Sequence, residues 1–423
     1  MKERTLRERT LRRGRVVTAM VAAVAILTGP APAEAAPGDL DASFSGDGRL
    51  VMDLTSGLDA GLDLVVAPDG KIVVAGRTGG PGGQMLVSRF LPDGSPDVAF
   101  AGDGHATVDL SPGDDIAYGV VLQPTGEIVV AGEASGNRMA FARLTAAGAL
   151  DPTFAGTGTL LLNPSAGRDV VKDLVLGAGG EIIGAGTVSD RTTAVRLTPA
   201  GVPDPGFGGD GIVTIDYPAG PEWVRGVARQ ANGAVVVVGV IDGPPPARQR
   251  VMLTRFTAGG TLDPAFSGDG RFSVNLFLGY EDAQAVAIRP DGKLVVGCEV
   301  AGRFCLLRLT PGGALDPTFS GDGRVWNDLP GGNEWVSSLA LQADGRIVVG
   351  GHIDGGGGRA IVARYTAGGL LDPTFSQDGY STANPSPGYD LVESIAIQPD
   401  GRLVTVGAVD SHNRFFVQRH LAA

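Results

Sequence analysis

Leu315-Asp316-Pro317-Thr318-Phe319-Ser320-Gly321-Asp322-Gly323 is the stretch on which the fold turns, because the chain repeats its pattern seven times. The phenylalanines that anchor the copies are Phe44, Phe100, Phe154, Phe207, Phe266, Phe319 and Phe375, at nearly regular intervals. A glycine follows each of them at one constant distance, at Gly70, Gly126, Gly180, Gly233, Gly292, Gly345 and Gly401. An arginine precedes the next Phe at a second constant distance, at Arg89, Arg143, Arg196, Arg255, Arg308 and Arg364, and Arg419 ends the series. All variation in length therefore falls between the glycine and the arginine.

Four short runs rich in β-branched residues, bounded by Gly, Pro and Asp, lie between these landmarks. Strand A follows the Phe motif, as in Gly48 to Met52, and strand B runs into the turn, as in Ser394 to Gln398. Strand C leaves the turn, as in Lys71 to Ala75, and strand D carries the arginine, as in Phe304 to Leu309. The Asp-Gly pair between B and C predicts a type I′ hairpin. A four-stranded antiparallel unit of about 50 residues in seven copies is the signature of a propeller. A sheet that is apolar on both faces buries them only against its neighbours, and tight hairpins do not suit a parallel β-helix. The sequence ends after a strand D, and its first Phe motif, Leu40 to Phe44, supplies what would come next, so the two ends are expected to close a ring. The expected fold is all-β: a seven-bladed β-propeller of four-stranded antiparallel blades over 36–423, with repeats starting near 40, 96, 150, 203, 262, 315 and 371.

Composition agrees. The 67 glycines and 28 prolines would suit disorder, but 43% of residues are apolar and cluster in the strand runs, so turns explain them better. The net charge of −12 argues against nucleic acid or an anionic membrane surface as partner. The segment 1–35 reads as an export signal: Arg7 to Arg15 are basic, Val16 to Thr28 apolar, and Ala33-Glu34-Ala35 offers a cleavage site. That apolar run falls short of the roughly 20 residues a membrane span requires, so no span is expected after cleavage and the mature chain is expected to be secreted or at the cell surface, as a monomer. Cys298 and Cys305 flank a Gly-containing turn and form either a cross-hairpin disulfide or two half-buried thiols.

The Leu-Asp-Pro-Thr-Phe, Ser-Gly-Asp-Gly, Gln-Pro-Asp-Gly (398–401) and Arg-Leu pattern resembles the delta-60 repeat family of exported bacterial proteins, from Leu40 to Arg419. The resemblance implies a propeller-like fold, often in surface or secreted proteins, and no catalytic residues. Thr157 stands for the motif Asp in copy three, Gln377 for a Gly in copy seven, and Gly177 to Gly180 form a degenerate turn.

In such a meander the B–C turns and D–A links share one face, constant in length. The A–B and C–D loops share the other face, where binding sites are expected; its longest hairpin contains Asp242 to Pro246. At a fixed distance before each turn glycine stands a carboxylate: Asp59, Asp115, Asp169, Glu222, Glu281, Glu334 and Asp390. Seven carboxylates suit Ca²⁺, the one cofactor considered, but a residue repeated in every copy is more often structural, capping a turn or pairing with a neighbouring blade's backbone amides. The motif aspartates Asp41, Asp97, Asp151, Asp204, Asp263, Asp316 and Asp372 are expected to pair with the strand-D arginines, and the Ser-Gly-Asp-Gly aspartates to form Asx-turns. Trp223, Tyr280, Trp335 and Tyr389 break the symmetry near the A–B loops and are either ligand-stacking rings or inter-blade packing. His105, His352, His412 and His420 lack ligand or triad spacing.

No catalytic constellation is recognisable, so the expectation is a non-enzymatic scaffold binding a protein or glycan. The alternatives are a hydrolase or lyase with an acidic site at the propeller axis, or a structural envelope protein.

Overall fold

The computed structural model describes residues 35–80, 82–243, 249–277, 279–355, 357–410 and 413–421. Residues 1–34, which hold nearly all of the segment read as an export signal, the Pro244-Pro245-Pro246 loop and His412 lie outside them. Met1–Ala35 and Ala36–Ala423 form separate units, and the fold is that of the second.

The described residues form 28 strands in seven four-stranded antiparallel sheets. Blade one is Ala60–Val66, Ile72–Thr78, Gln84–Phe90 and His105–Val108, in that spatial order. Strands B, C and D of each copy are thus completed by strand A of the next, so blade and sequence repeat are out of step by one strand. In blade seven, Leu391–Ile397, Leu403–Val409 and Arg414–His420 are completed by Arg49–Met52 from the start of the ring, paired Arg49 with Gln418 and Met52 with Phe415. Each strand B packs against the strands B of both neighbouring blades, blade seven against blade one included. Strand B is therefore innermost and its free edge faces the axis.

Seven apolar clusters fill the seven junctions between blades. One motif phenylalanine is inserted in each: Phe100 lies between blades one and two, and Phe44 between blades seven and one. All seven are fully buried, each contributing about 1.5–3 kcal/mol relative to exposure. This explains why the Phe never varies: it belongs to the seam and not to one sheet.

The B–C connections depart from the expected type I′ turn. The Gly70 amide donates to the Ala67 carbonyl at 2.9 Å and the Ala67 amide to Lys71 at 2.8 Å. Gly70 alone of the turn residues has positive φ, at 84°, and Asp69 does not. This is the three-residue loop, a type I turn closed by a left-handed glycine, and Asp69 accepts the Lys71 amide at 3.2 Å.

Shortly after the turn, at one equivalent position, strand C carries glycine in every blade but one. A Cβ at Gly76 would meet the Ala60 carbonyl at 1.8 Å. Blade five has Cys298 there, opposite Cys305 on strand D, and the two are disulfide-bonded and fully buried.

Six of the seven strand-D arginines donate across a seam to a carbonyl of the next blade, and Arg364 Nη1 has no partner among the described residues. Arg308 Nε donates to Asp316 at 2.7 Å, Nη1 to the Ala367 carbonyl of the next blade at 2.8 Å, and Nη2 to Thr318 at 2.9 Å. Its guanidinium lies 4.6 Å from the centre of the Phe319 ring. The same arginine–aspartate pair recurs in all seven blades at 2.7 to 2.9 Å.

Candidate functional site at the propeller axis

Strand alternation would send consecutive side chains to opposite faces. Every strand B breaks it with a β-bulge at the same place, between Gly61 and Asp63 in blade one and between Val171 and Asp173 in blade three. The other five strands B shift register at the equivalent position. A bulge re-aims side chains, and here two successive residues of a strand turn to the axis. The bulged residues are Leu62, Tyr118, Lys172, Arg225, Gln284, Ser337 and Glu393, and all seven line one cavity of about 310 Å³. Asp63, Asp173, Ala285, Ser338 and Ser394, one residue later, also line it, with Val286 and Leu339.

The second ring also satisfies the inner strand edges. Asp63 accepts the Val120 amide of the next blade at 2.9 Å and the Ser394 hydroxyl at 2.8 Å. Asp173 accepts the Val227 amide at 2.8 Å, and Ser338 the Ile395 amide at 3.3 Å. Burial pushes the Asp63 carboxyl up to about 6, against the opposing pull of those donors. Burial, then the charge of Asp63, pushes Asp173 up to about 7. Burial, then Arg168 and Arg225, brings Lys172 down to about 8. The Lys172 ammonium lies 3.4 Å from the centre of the Tyr118 ring. Arg225 is clasped by the buried Asp282 at 2.9 Å. The cavity thus gathers two carboxyls and an amine whose protonation changes near neutrality, an arrangement typical of acid–base sites.

Sequence reading missed these residues. All seven bulged residues stand at the same distance before a turn glycine, but their identities differ in every copy. That divergence inside a constant frame was the available signal.

The seven repeated carboxylates that precede the turn glycines, Asp59 and its counterparts, are fully buried, one per blade. Each accepts from its own A–B loop: Asp59 from the Leu54 and Thr55 amides at 2.7 and 2.8 Å, Asp115 from Leu110 at 2.6 Å, and Asp169 from Ser165 at 3.0 Å. Glu281 accepts from Leu276 at 2.7 Å, Glu334 from Leu329 at 2.9 Å, and Asp390 from Ser386 at 3.0 Å. Glu222 accepts the Tyr217 amide and, at 2.6 Å, that of Thr192. Among the described residues no three His, Cys, Asp or Glu side chains are grouped to hold a metal ion. The Ser-Gly-Asp-Gly aspartates cap the amide two residues on, as Asp322 does for Arg324 at 3.0 Å.

Three of the four aromatics meet at one rim. Tyr280 and Trp335 stand edge to face at 5.2 Å, Trp335 stacks on His352 at 5.8 Å, and His352 meets Tyr389 at 5.2 Å. Trp335 Nε1 donates to Asp354 at 3.2 Å, and the Tyr389 hydroxyl donates to the same carboxylate. Glu299 is buried beside them; burial first, then Asp282, Asp354 and Glu334, pushes its carboxyl up to about 8. Trp223 stands apart, lining a small pocket with Arg168, Asp190 and Arg225.

A family profile described as "Domain of unknown function (DUF5122) beta-propeller" matches residues 67–100, 123–154, 289–319 and 342–375, each running from a B–C turn to the next Phe. These matches support a β-propeller repeat family. Among curated proteins none matches the sequence. A crystal structure of a catalytically inactive virginiamycin B lyase from Staphylococcus aureus, with quinupristin, superposes with a TM-score of 0.54 at 13% identity over 88% of this chain and 99% of that one. A streptogramin B lyase structure gives 0.40 at 12% identity, over 71% and 92%. At these identities the likeness is one of fold. It nevertheless overturns the expectation of a non-enzyme: a structure of the same fold is that of a lyase, so the lack of a recognisable motif in the sequence does not argue against catalysis.

Proposed function

We infer that the protein is an acid–base enzyme of the lyase class, working on a ligand held in the axial cavity. The observation that carries this reading is the bulge that turns both Lys172 and Asp173 into one cavity. An elimination needs one base and one acid across the substrate. Asp173, a stronger base than an ordinary carboxylate because of its burial, takes the proton next to a carbonyl. The C–O bond breaks, and Lys172, a better acid than a solvated ammonium, protonates the departing oxygen. Arg225, held by Asp282, places a guanidinium where enolate charge develops. The lyase of the same fold supports the choice of elimination over hydrolysis. We further take the chain to be a delta-60 repeat protein, exported by removal of residues 1–35 and acting outside the cell.

The test is incubation of the mature chain with quinupristin and with uronate-containing polysaccharides, followed by mass spectrometry for the unsaturated product. Activity should peak between about pH 7 and 8, where Asp173 is ionised and Lys172 protonated. Lys172→Met and Asp173→Asn should each abolish it. Turnover that survives both substitutions, or no product from any of these substrates, would refute the reading.

A further inference from the structure

We propose that the rim of blades five to seven, formed by Tyr280, Trp335, Tyr389, Asp354 and Glu299, is a binding site for an organic cation, a quaternary or protonated amine. The inference is independent of the axial chemistry.

Three observations carry it. The first is the ring set: Tyr280, Trp335 and, across His352, Tyr389 follow one another at centroid distances of 5.2 to 5.8 Å, and Tyr280 is 37% exposed. The second is where their polar edges point. Trp335 Nε1 and the Tyr389 hydroxyl donate to Asp354, and the Tyr280 hydroxyl lies 3.5 Å from Asp282. Their donors are spent on carboxylates, and Trp335 is stacked on His352, so it is the exposed Tyr280 ring that the corner offers to a ligand. A sugar would ask for donors as well as acceptors, whereas this corner supplies acceptors.

The third is Glu299. It is only 2% exposed, and its Oε2 has no hydrogen-bond partner among the described residues. An unsatisfied buried carboxyl oxygen is costly and asks for an explanation. The Gly302 amide donates to this carboxyl, but burial first, and then the negative charge of Asp282, Asp354 and Glu334, raises its affinity for a proton. Arg225, the guanidinium that reaches Asp282, is already committed to it by two contacts of 3.1 and 2.9 Å. A compact cation over the rings would meet the ring quadrupoles and, beside them, the Glu299 oxygen that lacks a donor.

The experiment is titration of the full mature chain with choline chloride and tetramethylammonium chloride, read by calorimetry and by tryptophan fluorescence. 3,3-Dimethylbutanol, the neutral isostere of choline, and calcium chloride are the controls. Choline is expected to saturate and to bind at least 10-fold tighter than the isostere. Glu299→Gln, checked for folding by near-UV circular dichroism, is expected to weaken choline at least 5-fold, as is Trp335→Phe. Equal binding of the isostere would assign a merely apolar patch and overturn the proposal. Equal binding of calcium, the absence of saturable binding, or a folded Glu299→Gln protein with unchanged affinity would overturn it as well. Because dimethylbutanol is compared on the unmodified chain, a variant that fails to fold does not protect the idea.

Discussion

Replacing Arg308 by methionine tests the seam directly. The substitution keeps the stem against Phe319 and removes the guanidinium. The charge-assisted bond to Asp316 is worth about 1.5–3 kcal/mol, and those to Ala367 and Thr318 about 0.5–1.5 kcal/mol each. Sulfur–ring contact returns part of the lost cation–π attraction. The expected loss is roughly 3 kcal/mol, read as a shift of the urea midpoint by tryptophan fluorescence. Asp316 does not lose all its positive charge, because Lys293 also reaches it at 2.9 Å. Burial alone would raise the Asp316 carboxyl, yet Lys293, Thr318 and Arg308 together hold it well below the usual carboxylate range. Lys293→Met alone should cost at most about 1 kcal/mol, since the lysine is partly solvated. The double substitution leaves a carboxylate that is 4% exposed without a cation, so it should exceed the sum of the single losses by about 1–2 kcal/mol. Strict additivity would refute the claim that Asp316 is held as a buried anion by two cations.

Other consequences are as direct. Asp63 and Asp173 have folded-state affinities for protons raised to about 6 and about 7, against 3.8 when unfolded, so the folded chain binds more protons in that window. Their contribution to stability is complete below about pH 4 and is lost as pH rises through 6 and 7, at no more than about 1.4 kcal/mol per pH unit for each carboxyl. Melting temperatures from pH 4 to 8 should show Asp173→Asn flattening this decline, and an unchanged profile would remove the assignment. The Cys298–Cys305 bond closes a short loop between directly paired residues, so the Cys298→Ala/Cys305→Ala protein should lose about 2 kcal/mol. Unfolding of the oxidised chain with and without dithiothreitol measures the same quantity, and equal midpoints would show that the link adds nothing.

The scaffold was legible because symmetry repeats its physics. Phe319 and its six counterparts had to occupy equivalent places in the copies, and an arginine at a fixed distance before an aspartate had to close each link. The offset between repeat and blade was hidden, because a strand such as Arg49–Met52 carries no mark of which sheet it will join. The turn type was misread because Asp-Gly serves both the two-residue and the three-residue loop, and the Gly70 φ decides between them. The axial cavity was least legible: period-two reasoning assigns Lys172 and Asp173 to opposite faces, and the bulge sends both the same way. The rim aromatics were found by their asymmetry, whereas His352 and Glu299 join Trp335 and Asp282 through strand C, a partnership that only register shows.

The pairing of Arg49 with Gln418 makes one sheet wait for both ends of the ring. Loop-closure entropy rises with separation, and these partners stand nearly the whole ring apart, so their meeting falls late among the contacts to form. A nascent chain with six blades in place would still carry an open wedge lined with apolar side chains and two bare strand edges. Any protease or chaperone that samples the chain before its last hairpin arrives meets a sticky crescent, and afterwards a closed disc.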